Sequence, residues 1–349
     1  MYAERRKKFK ATLAKQNCDG YIVLDRADIF YLTGFHPEGC FLLITPDEDF
    51  LFASSLLETH ARHTTQDDKK LKVLSPQSFL KELTSVIQDN HPKKIGYDPR
   101  TTKVSFLNFL SKIKGAQWTP LEQLILKQRE IKDSTEIELI QKACHITALA
   151  HKKIMPTLKA GMSEQKVMFG LEQIFQNYSS PKPAFETIVA FNEHSSFPHH
   201  VTETKKLTNN SVVLMDFGCS VGHYMSDFTR TTFFGNPTAE FKKIYDIVTE
   251  AQHAGIAAVR EGVTAGNIDI ACRKVIQKYG YGKYFIHTTG HGVGLDIHEL
   301  PNISPLSKTI LKAGMIITVE PGIYLPKKFG VRIEDTLLVT KNGFEILTK

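Results

Sequence analysis

Acidic side chains follow or lie within three β-prone runs in the C-terminal half of this sequence. Residues 212–215 lead into Asp216, residues 316–319 lead into Glu320, and the run VRIE carries Glu334. Taken singly, such an acid could be an exposed group on a half-buried strand. A carboxylate beside a buried apolar strand costs free energy unless a cation or strong hydrogen-bond donors compensate its charge. Three of them together favour a cation-binding site.

A fourth acid, Asp227, stands eleven residues after Asp216. The loop between them contains Gly218 and Gly222, and a second strand is predicted over residues 227–234, so the two strands would form a hairpin. That hairpin would bring the two aspartates side by side. For this pair alone, capping of turns is as good an interpretation as cation binding.

Three histidines, His287, His291 and His298, fall within the segment HTTGHGVGLDIHE. The glycines between them let the backbone approach a ligand or another strand closely. The segment is not a dinucleotide fingerprint, because histidine occupies its interior and no strand–helix unit follows. It is not an HExxH zinc motif either, since Asn302 stands where the second histidine would be. Such a dense group of histidines near two aspartates indicates ligands or substrate contacts.

Four carboxylates and one imidazole suit a two-metal site. The carboxylates carry four negative charges, which two divalent cations balance, and a neutral histidine completes the set. Mostly oxygen ligands with one imidazole favour Mn²⁺, Co²⁺ or Fe²⁺ over a zinc site rich in nitrogen and sulfur. Two metals about 3.5–4 Å apart activate water and polarise a carbonyl, so the predicted chemistry is hydrolytic.

The elements that must position these residues change character near residue 130. Helices and strands alternate before it, and Ser134-Thr135-Glu136 is predicted to open a helix with Ser134 as its cap. Strands grouped near glycine turns then indicate an antiparallel sheet, so the predicted fold class is α/β of the α+β kind. In this second part, helices are predicted over residues 163–177, 238–260 and 266–279, and strands over residues 212–217, 227–234, 316–320 and 331–339.

Composition and charge limit the classes of protein to which this chain could belong. The chain has 349 residues, a length that suits two domains. Its net charge of +7 comes mostly from scattered basic residues, which is typical of a solvated surface, so no nucleic-acid partner is predicted. The five cysteines are far apart and lack CxxC spacing, which favours a reducing cytoplasm over a disulfide framework. No apolar run approaches about 18 residues, so no membrane span is predicted.

The order Asp, Asp, His, Glu, Glu resembles the pita-bread metallopeptidases. MDFGCSVGHYMSDFTRT, HTTGHGVGLDIHE, TVEPGIY and VRIEDT match the signature blocks of that family. DRADIFYLTGF resembles the creatinase-type domain that precedes the catalytic domain in aminopeptidase P and prolidase. The resemblance implies a creatinase-like N-terminal domain over residues 1–128. A pita-bread catalytic domain, with a curved antiparallel sheet covered by helices, would span residues 129–349.

The resemblance also implies a metal ligand set, in which Asp227 and Glu334 bridge two ions, Mn²⁺ being preferred and Co²⁺ or Fe²⁺ the alternatives. Glu320 would in addition carry a proton to the departing proline nitrogen. The implied ligands are Asp216, Asp227, His291, Glu320 and Glu334.

Four further residues are implied on the substrate side. His298 would hydrogen-bond the substrate carbonyl, an oxyanion-type role. His199 matches a catalytic, substrate-side histidine of the family, although His200 beside it is an alternative register. His287 and Arg332 would line the site, and Arg332 would anchor either Glu334 or a substrate carboxylate.

The implied activity is that of an Xaa-Pro aminopeptidase acting on peptides with proline in the second position. An Xaa-Pro dipeptidase, or prolidase, shares every ligand and is the alternative, and a non-catalytic peptide-binding relative is a remote third. Methionine aminopeptidases lack the N-terminal domain, and creatinase does not keep this metal set. Analogy further implies a homodimer.

Overall fold

The computed structural model of the protein describes residues 1–36, 38–178 and 182–349. These residues divide into two compact units, Met1–Arg129 and Glu130–Lys349. Each unit contains its own clusters of buried apolar side chains. None of the helices in the described part of the chain is both long and apolar enough to cross a membrane.

Helices and strands alternate in the first unit, as the sequence predicts. They are α1 (Tyr2–Lys15), β1 (Gly20–Val23), α2 (Arg26–Thr33), β2 (Phe41–Ile44), β3 (Asp49–Phe52), α3 (Glu58–Thr65), β4 (Leu71–Leu74), α4 (Phe79–Asn90), β5 (Lys94–Tyr97), α5 (Val104–Leu110), β6 (Gln117–Pro120) and α6 (Leu124–Arg129).

The strands of the first unit form one mixed sheet in the order β4-β3-β2-β1-β5-β6. Strand β2 pairs antiparallel with β1 and β3, whereas β4, β5 and β6 join in parallel. Strands β1, β2 and β3 are buried along their whole lengths. Their short continuous apolar runs are typical of strands covered on both faces.

The second unit opens with α7 (Ser134–Ile154), which confirms the predicted helix, but its cap is Asp133 and not the predicted Ser134. The Asp133 carboxylate accepts hydrogen bonds from the backbone N–H groups of Thr135 and Glu136, and the Glu136 carboxylate accepts one from Asp133 N–H. This reciprocal capping satisfies donors that a helix start leaves unpaired. The other predicted helices are confirmed to within three residues, as α8 (Glu164–Asn177), α9 (Ala239–Ala257) and α10 (Ala265–Lys278).

The strands of the second unit are short. They are β7 (Ile188–Phe191), β8 (Ser211–Asp216), β9 (Ser220–Val221), β10 (Tyr224–Met225), β11 (Thr229–Phe234), β12 (Gly290–Gly292), β13 (Glu299–Ile303), β14 (Ile316–Val319), β15 (Gly322–Leu325), β16 (Phe329–Arg332), β17 (Asp335–Thr340) and β18 (Gly343–Ile346).

These strands pair antiparallel throughout, which confirms the predicted α+β class. One sheet has the order β11-β8-β7 and another the order β13-β12-β14-β17-β18, while β9–β10 and β15–β16 form two hairpins. Apolar side chains of α9 and α10 pack with those of β14 and β17 in one core cluster. Side chains of α7 and α8 pack with those of β7 and β8 in another.

The single strand predicted over residues 331–339 is wrong, because the chain changes sheets within it. Strand β16 ends at Arg332 and pairs with β15, whereas β17 begins at Asp335 and pairs with β14 and β18. In the gap, the backbone N–H of Glu334 donates to the carbonyl of Thr229 on β11. The break therefore places Glu334 beside a third strand, which an unbroken strand would not do.

Candidate metal centre

Asp216 and Asp227 are brought together by the pairing of β8 with β11. Asp216 ends β8 opposite Thr229, and Asp227 stands two residues before Thr229. The predicted short loop between them contains the β9–β10 hairpin. Neither carboxylate accepts a hydrogen bond from a turn backbone in the described chain, so the turn-capping interpretation is wrong. The strand pairing instead brings the two carboxylates close together.

His291 lies near these acids on a strand that packs too closely against its neighbours for any residue but glycine on either side of it. It lies between Gly290 and Gly292 on β12, where a Cβ on either glycine would overlap a backbone carbonyl of a neighbouring strand. His291 Nδ1 is 3.0 Å from the carbonyl oxygen of Gly292, and because a carbonyl only accepts, Nδ1 carries the proton. The lone pair of Nε2 is then available to a metal, as is usual for a histidine ligand.

Two glutamates complete the cluster from the ends of two strands. Glu320 follows β14, and its backbone N–H donates to Thr289. Glu334 follows β16, and its carboxylate accepts a 2.7 Å hydrogen bond from the hydroxyl of Thr229. His291 Nε2 lies 3.4 Å from Glu320 Oε1 and 3.5 Å from Asp227 Oδ2. The acids and the imidazole thus surround a common centre.

Burial and crowding work against full ionisation of these acids. Burial and the neighbouring Asp216 raise the pKa of Asp227 well above its ordinary value, and burial and Asp227 do the same to the pKa of Glu334. Burial also opposes ionisation of Glu320, but His291 outweighs it and lowers the pKa of Glu320 to about 2. The cluster has more negative charge than its own donors neutralise.

The donor set fits divalent cations. Asp216 Oδ1 and Glu334 Oε1 are buried oxygens without a hydrogen-bond partner among the described residues. Ligand atoms of Asp227, His291 and Glu334 lie within 4.8 Å of one another. Unpartnered buried carboxylate oxygens are costly unless a cation meets them. Four carboxylates and one imidazole therefore match the oxygen-rich site that the sequence predicts.

Arg332 anchors Asp216, so the predicted alternative in which it anchors Glu334 is wrong. Its Nη2 donates to Asp216 Oδ2, and its Nη1 donates to the Tyr324 hydroxyl at 2.8 Å. The side chain that donates to Glu334 is Thr229 and not Arg332. The Thr229 hydroxyl also accepts a hydrogen bond from Arg332 Nε at 3.2 Å. Around the strand break, Thr229 is therefore a neighbour of both side chains, while the Arg332 guanidinium reaches on to Asp216.

A hydrogen-bonded chain runs from Arg332 through Tyr324 to His287. Tyr324 Oη lies 2.8 Å from His287 Nε2, and His287 Nδ1 lies 2.7 Å from the carbonyl oxygen of Thr288. The Thr288 carbonyl makes Nδ1 the donor, so Nε2 accepts from the tyrosine hydroxyl. Burial lowers the pKa of His287 and raises the pKa of Tyr324 to about 12. Both groups therefore stay neutral while they orient Arg332.

The cluster opens into a cavity of about 930 Å³. His287, His298 and His199 all line it. The ring of His298 lies edge-on to His291, with 4.4 Å between the ring centroids. Burial and the nearby His291 lower the pKa of His298, so its ring can donate as a neutral imidazole.

The structure separates the two adjacent histidines of the SFPHH segment. His199 is exposed in the cavity wall. His200 is 8% exposed, and its Nε2 lies 3.0 Å from Glu164 Oε2. His199 is thus the one whose ring is free to meet a substrate.

Sequence reasoning missed several residues that hold the site in place. Tyr324 and Thr229 lie within or beside the recognised blocks, and strand alternation from Glu320 and Asp227 could have suggested them. Glu164 carried no such signal, because its partners lie about 30 residues further along the chain.

Family comparisons cover nearly the whole chain. Residues 138–341 match the model described as metallopeptidase family M24, and residues 5–131 match the creatinase/prolidase N-terminal domain. An Xaa-Pro dipeptidase of Pyrococcus furiosus is 36% identical over 347 residues, which cover 99% of this chain and 98% of the relative. An Xaa-Pro dipeptidase of Pyrococcus horikoshii is 35% identical, with coverage of 99% and 97%.

Solved structures carry the same two-part fold. An Xaa-Pro dipeptidase from Bacillus anthracis superposes with a TM-score of 0.96 at 31% identity, covering 100% of this chain and 98% of the other. An X-Pro aminopeptidase from Thermotoga maritima superposes with a TM-score of 0.91 at 30% identity, covering 99% and 97%.

Proposed function

Because this chain belongs to metallopeptidase family M24 and carries a creatinase/prolidase-type N-terminal domain, we propose that it is an Xaa-Pro dipeptidase. The observation that carries the proposal is the full-length similarity to the dipeptidases of Pyrococcus, at 36% and 35% identity. The sequence prediction ranked an Xaa-Pro aminopeptidase first, and these relatives favour its alternative. Peptide-bond hydrolysis by a metallopeptidase is common to both.

Two divalent cations would be held by the five clustered side chains, with Mn²⁺ preferred and Co²⁺ or Fe²⁺ as alternatives. When bound, such a pair supplies polarisation of the scissile carbonyl and a lowered pKa for water. The unpartnered buried oxygens of Asp216 and Glu334 support this assignment. The proposed ligands are Asp216, Asp227, His291, Glu320 and Glu334.

Glu320 is proposed to carry a proton to the leaving nitrogen. In an Xaa-Pro bond that nitrogen bears no hydrogen, so it must receive one as it departs as a secondary amine. Glu320 lines the cavity, and its backbone is fixed by the hydrogen bond to Thr289. A carboxylate in that place can accept a proton and release it toward the substrate.

His298 is proposed to donate a hydrogen bond to the scissile carbonyl oxygen, where negative charge develops. His199 also lines the cavity and is proposed to contact the substrate and to assist the same step. Apolar side chains on the cavity wall, among them Phe185, Ile188 and Ile297, suit a proline ring. His287 and Arg332 line the cavity and are proposed to shape the site, each held by a hydrogen bond with the Tyr324 hydroxyl.

A specific observation supports the aminopeptidase as the second candidate. A dipeptide brings its carboxylate close to the scissile bond, and burial of that charge needs a cationic or hydrogen-bonding partner. Among the described cavity-lining residues there is no lysine, and the guanidinium of Arg332 is 3% exposed and engaged by Asp216 and Tyr324. His199, His298 and Asn302 also line the cavity and could offer a dipeptide carboxylate hydrogen bonds, but none of them is a permanent cation.

Hydrolysis of Gly-Pro, Gly-Pro-Ala and a longer Gly-Pro peptide tests the proposal, after chelation and re-addition of Mn²⁺. The expected result is metal-dependent cleavage of Gly-Pro, with slower or no cleavage of the longer peptides. Faster release of glycine from the longer peptides would establish the aminopeptidase instead. Absence of metal-dependent cleavage in all three would contradict both. The homodimer and the cytoplasmic location remain predictions.

A further inference from the structure

The carboxylate of Glu164 is the hub of a second cluster beside the cavity. Glu164 is the first residue of α8, and its side chain is fully buried. Its Oε1 accepts from Phe191 N–H at 2.8 Å and lies 2.9 Å from His194 Nδ1. Its Oε2 accepts from Glu203 N–H at 3.1 Å and lies 3.0 Å from His200 Nε2. All four donors come from one segment, residues 191–203.

The spacing of these atoms indicates hydrogen bonds and not a shared cation. In the metal centre, His291 Nε2 stands 3.4 and 3.5 Å from the nearest carboxylate oxygens. In the second cluster the corresponding separations are 2.9 and 3.0 Å, which are ordinary N–H···O distances. Two backbone N–H groups also point at the same carboxylate, and a cation would be repelled by them. Glu164 therefore serves as an acceptor.

Residues 191–203 carry His199 into the cavity wall, yet the His199 ring makes no hydrogen bond with the described residues. Its position must come from its neighbours. His200 ties the chain to Glu164 on one side, and the carbonyl of Pro198 lies 3.5 Å from Arg332 Nη1 on the other. The backbone N–H groups of Phe191 and Glu203, at the two ends of the segment, both donate to the Glu164 carboxylate.

We propose that Glu164 is a positioning residue for His199: by holding both ends of residues 191–203, its carboxylate sets where the His199 ring stands in the cavity. The inference rests on the proposed function only for the role of His199 toward substrate. A buried acceptor that fixes a neighbouring functional histidine is a recurring arrangement in metalloenzyme sites. Here Glu164 binds the chain on each side of His199 and makes no hydrogen bond with the His199 ring.

A double-mutant cycle with Glu164→Gln and His199→Ala tests the proposal. Glutamine keeps the size of the side chain, but its amide nitrogen cannot accept a hydrogen bond. The oxygen that this nitrogen replaces therefore no longer accepts from its backbone N–H and its histidine. With His199 present, Glu164→Gln should lower kcat/KM for Gly-Pro by about tenfold, and in the His199→Ala background by less than about twofold. Glu193→Gln is the matched control, because Glu193 lies in the same segment and pairs with Lys205 at the surface.

A second measurement does not need activity. Hydrogen exchange of peptides covering residues 191–203 should be about tenfold faster in Glu164→Gln and unchanged in Glu193→Gln. Bound Mn²⁺ should be equal in all variants. An equal kinetic loss in both His199 backgrounds, no loss in either, or loss of Mn²⁺ from Glu164→Gln would overturn the proposal.

If the wild-type protein cleaves no Xaa-Pro peptide, the proposed function fails and exchange alone decides the positioning role. Unchanged exchange in Glu164→Gln would then overturn it, and faster exchange confined to residues 191–203 would support it.

Discussion

Thr229→Val is the sharpest probe of how the proposed metal ligands are held. The substitution keeps the shape and volume of a fully buried, β-branched side chain on β11 and removes only its hydroxyl. That hydroxyl donates to Glu334 Oε2 at 2.7 Å and accepts from Arg332 Nε at 3.2 Å. The variant therefore frees one carboxylate oxygen of a proposed ligand while leaving the strand unchanged.

The magnitude follows from the loss of a buried hydrogen bond to a charged group. Such a bond contributes about 1.5–3 kcal/mol, which corresponds to roughly 10- to 150-fold in an equilibrium constant. We expect the lower end, about tenfold weaker Mn²⁺ binding, because Glu334 is also fixed by its backbone N–H bond to Thr229. Isothermal titration with Mn²⁺ measures the affinity directly, and activity against Mn²⁺ concentration should shift in parallel.

Thr232→Val is the matched control for this variant. Thr232 lies on the same strand, and its hydroxyl makes no hydrogen bond within the described residues. Its Mn²⁺ affinity should equal that of the wild-type protein. Unchanged affinity in Thr229→Val, or an equal loss in Thr232→Val, would refute the idea that Thr229 orients Glu334.

Three further substitutions test other parts of the site. Asp227→Asn should lose bound Mn²⁺ and activity together, measured by metal analysis and turnover, and a fully loaded, active variant would remove Asp227 from the ligand set. His298→Ala should keep its Mn²⁺ but lose about 10²–10³ in kcat, as for a lost oxyanion donor; retained turnover would exclude the carbonyl role. Lys132→Met should destabilise the protein by about 3–5 kcal/mol in chemical denaturation, because it leaves Glu299 buried without the cation that lies 2.6 Å away. A change below about 1 kcal/mol would show that this pair is dispensable.

Much of the metal centre could be predicted because its signal is local. An apolar strand that ends in an acid is readable at Asp216 and at Glu320, and the glycines around His291 mark a strand packed closely against its neighbours. The start of α7 could be predicted for the same reason, since its capping residues lie within four positions, although the cap is Asp133 and not the predicted Ser134. Such features need no knowledge of distant partners.

The supports of the site could not be predicted, because their partners are remote in sequence. Arg332 meets Asp216 across 116 positions, and nothing near either residue indicates that pairing. The break at residues 333–334 was equally hidden, because the strands that pair on either side of it, β15 and β14, come from different sheets. Both His199 and His200 line the cavity, and which of the two rings is free there depends on Glu164, which engages His200 from more than thirty residues earlier. Long-range contacts override local pattern at each of these points.

The proposed ligands come from separate hydrogen-bonded sheets, so bound cations would also affect the stability of the fold. Asp216 belongs to the sheet of β7, β8 and β11, His291 to the sheet of β12 and β14, and Glu334 to the crossing between two sheets. Only the folded chain assembles them, so cation affinity adds to the free energy of unfolding. Heat resistance and lifetime should then rise with free divalent cation, making the protein's persistence in a cell depend on the same supply as its activity.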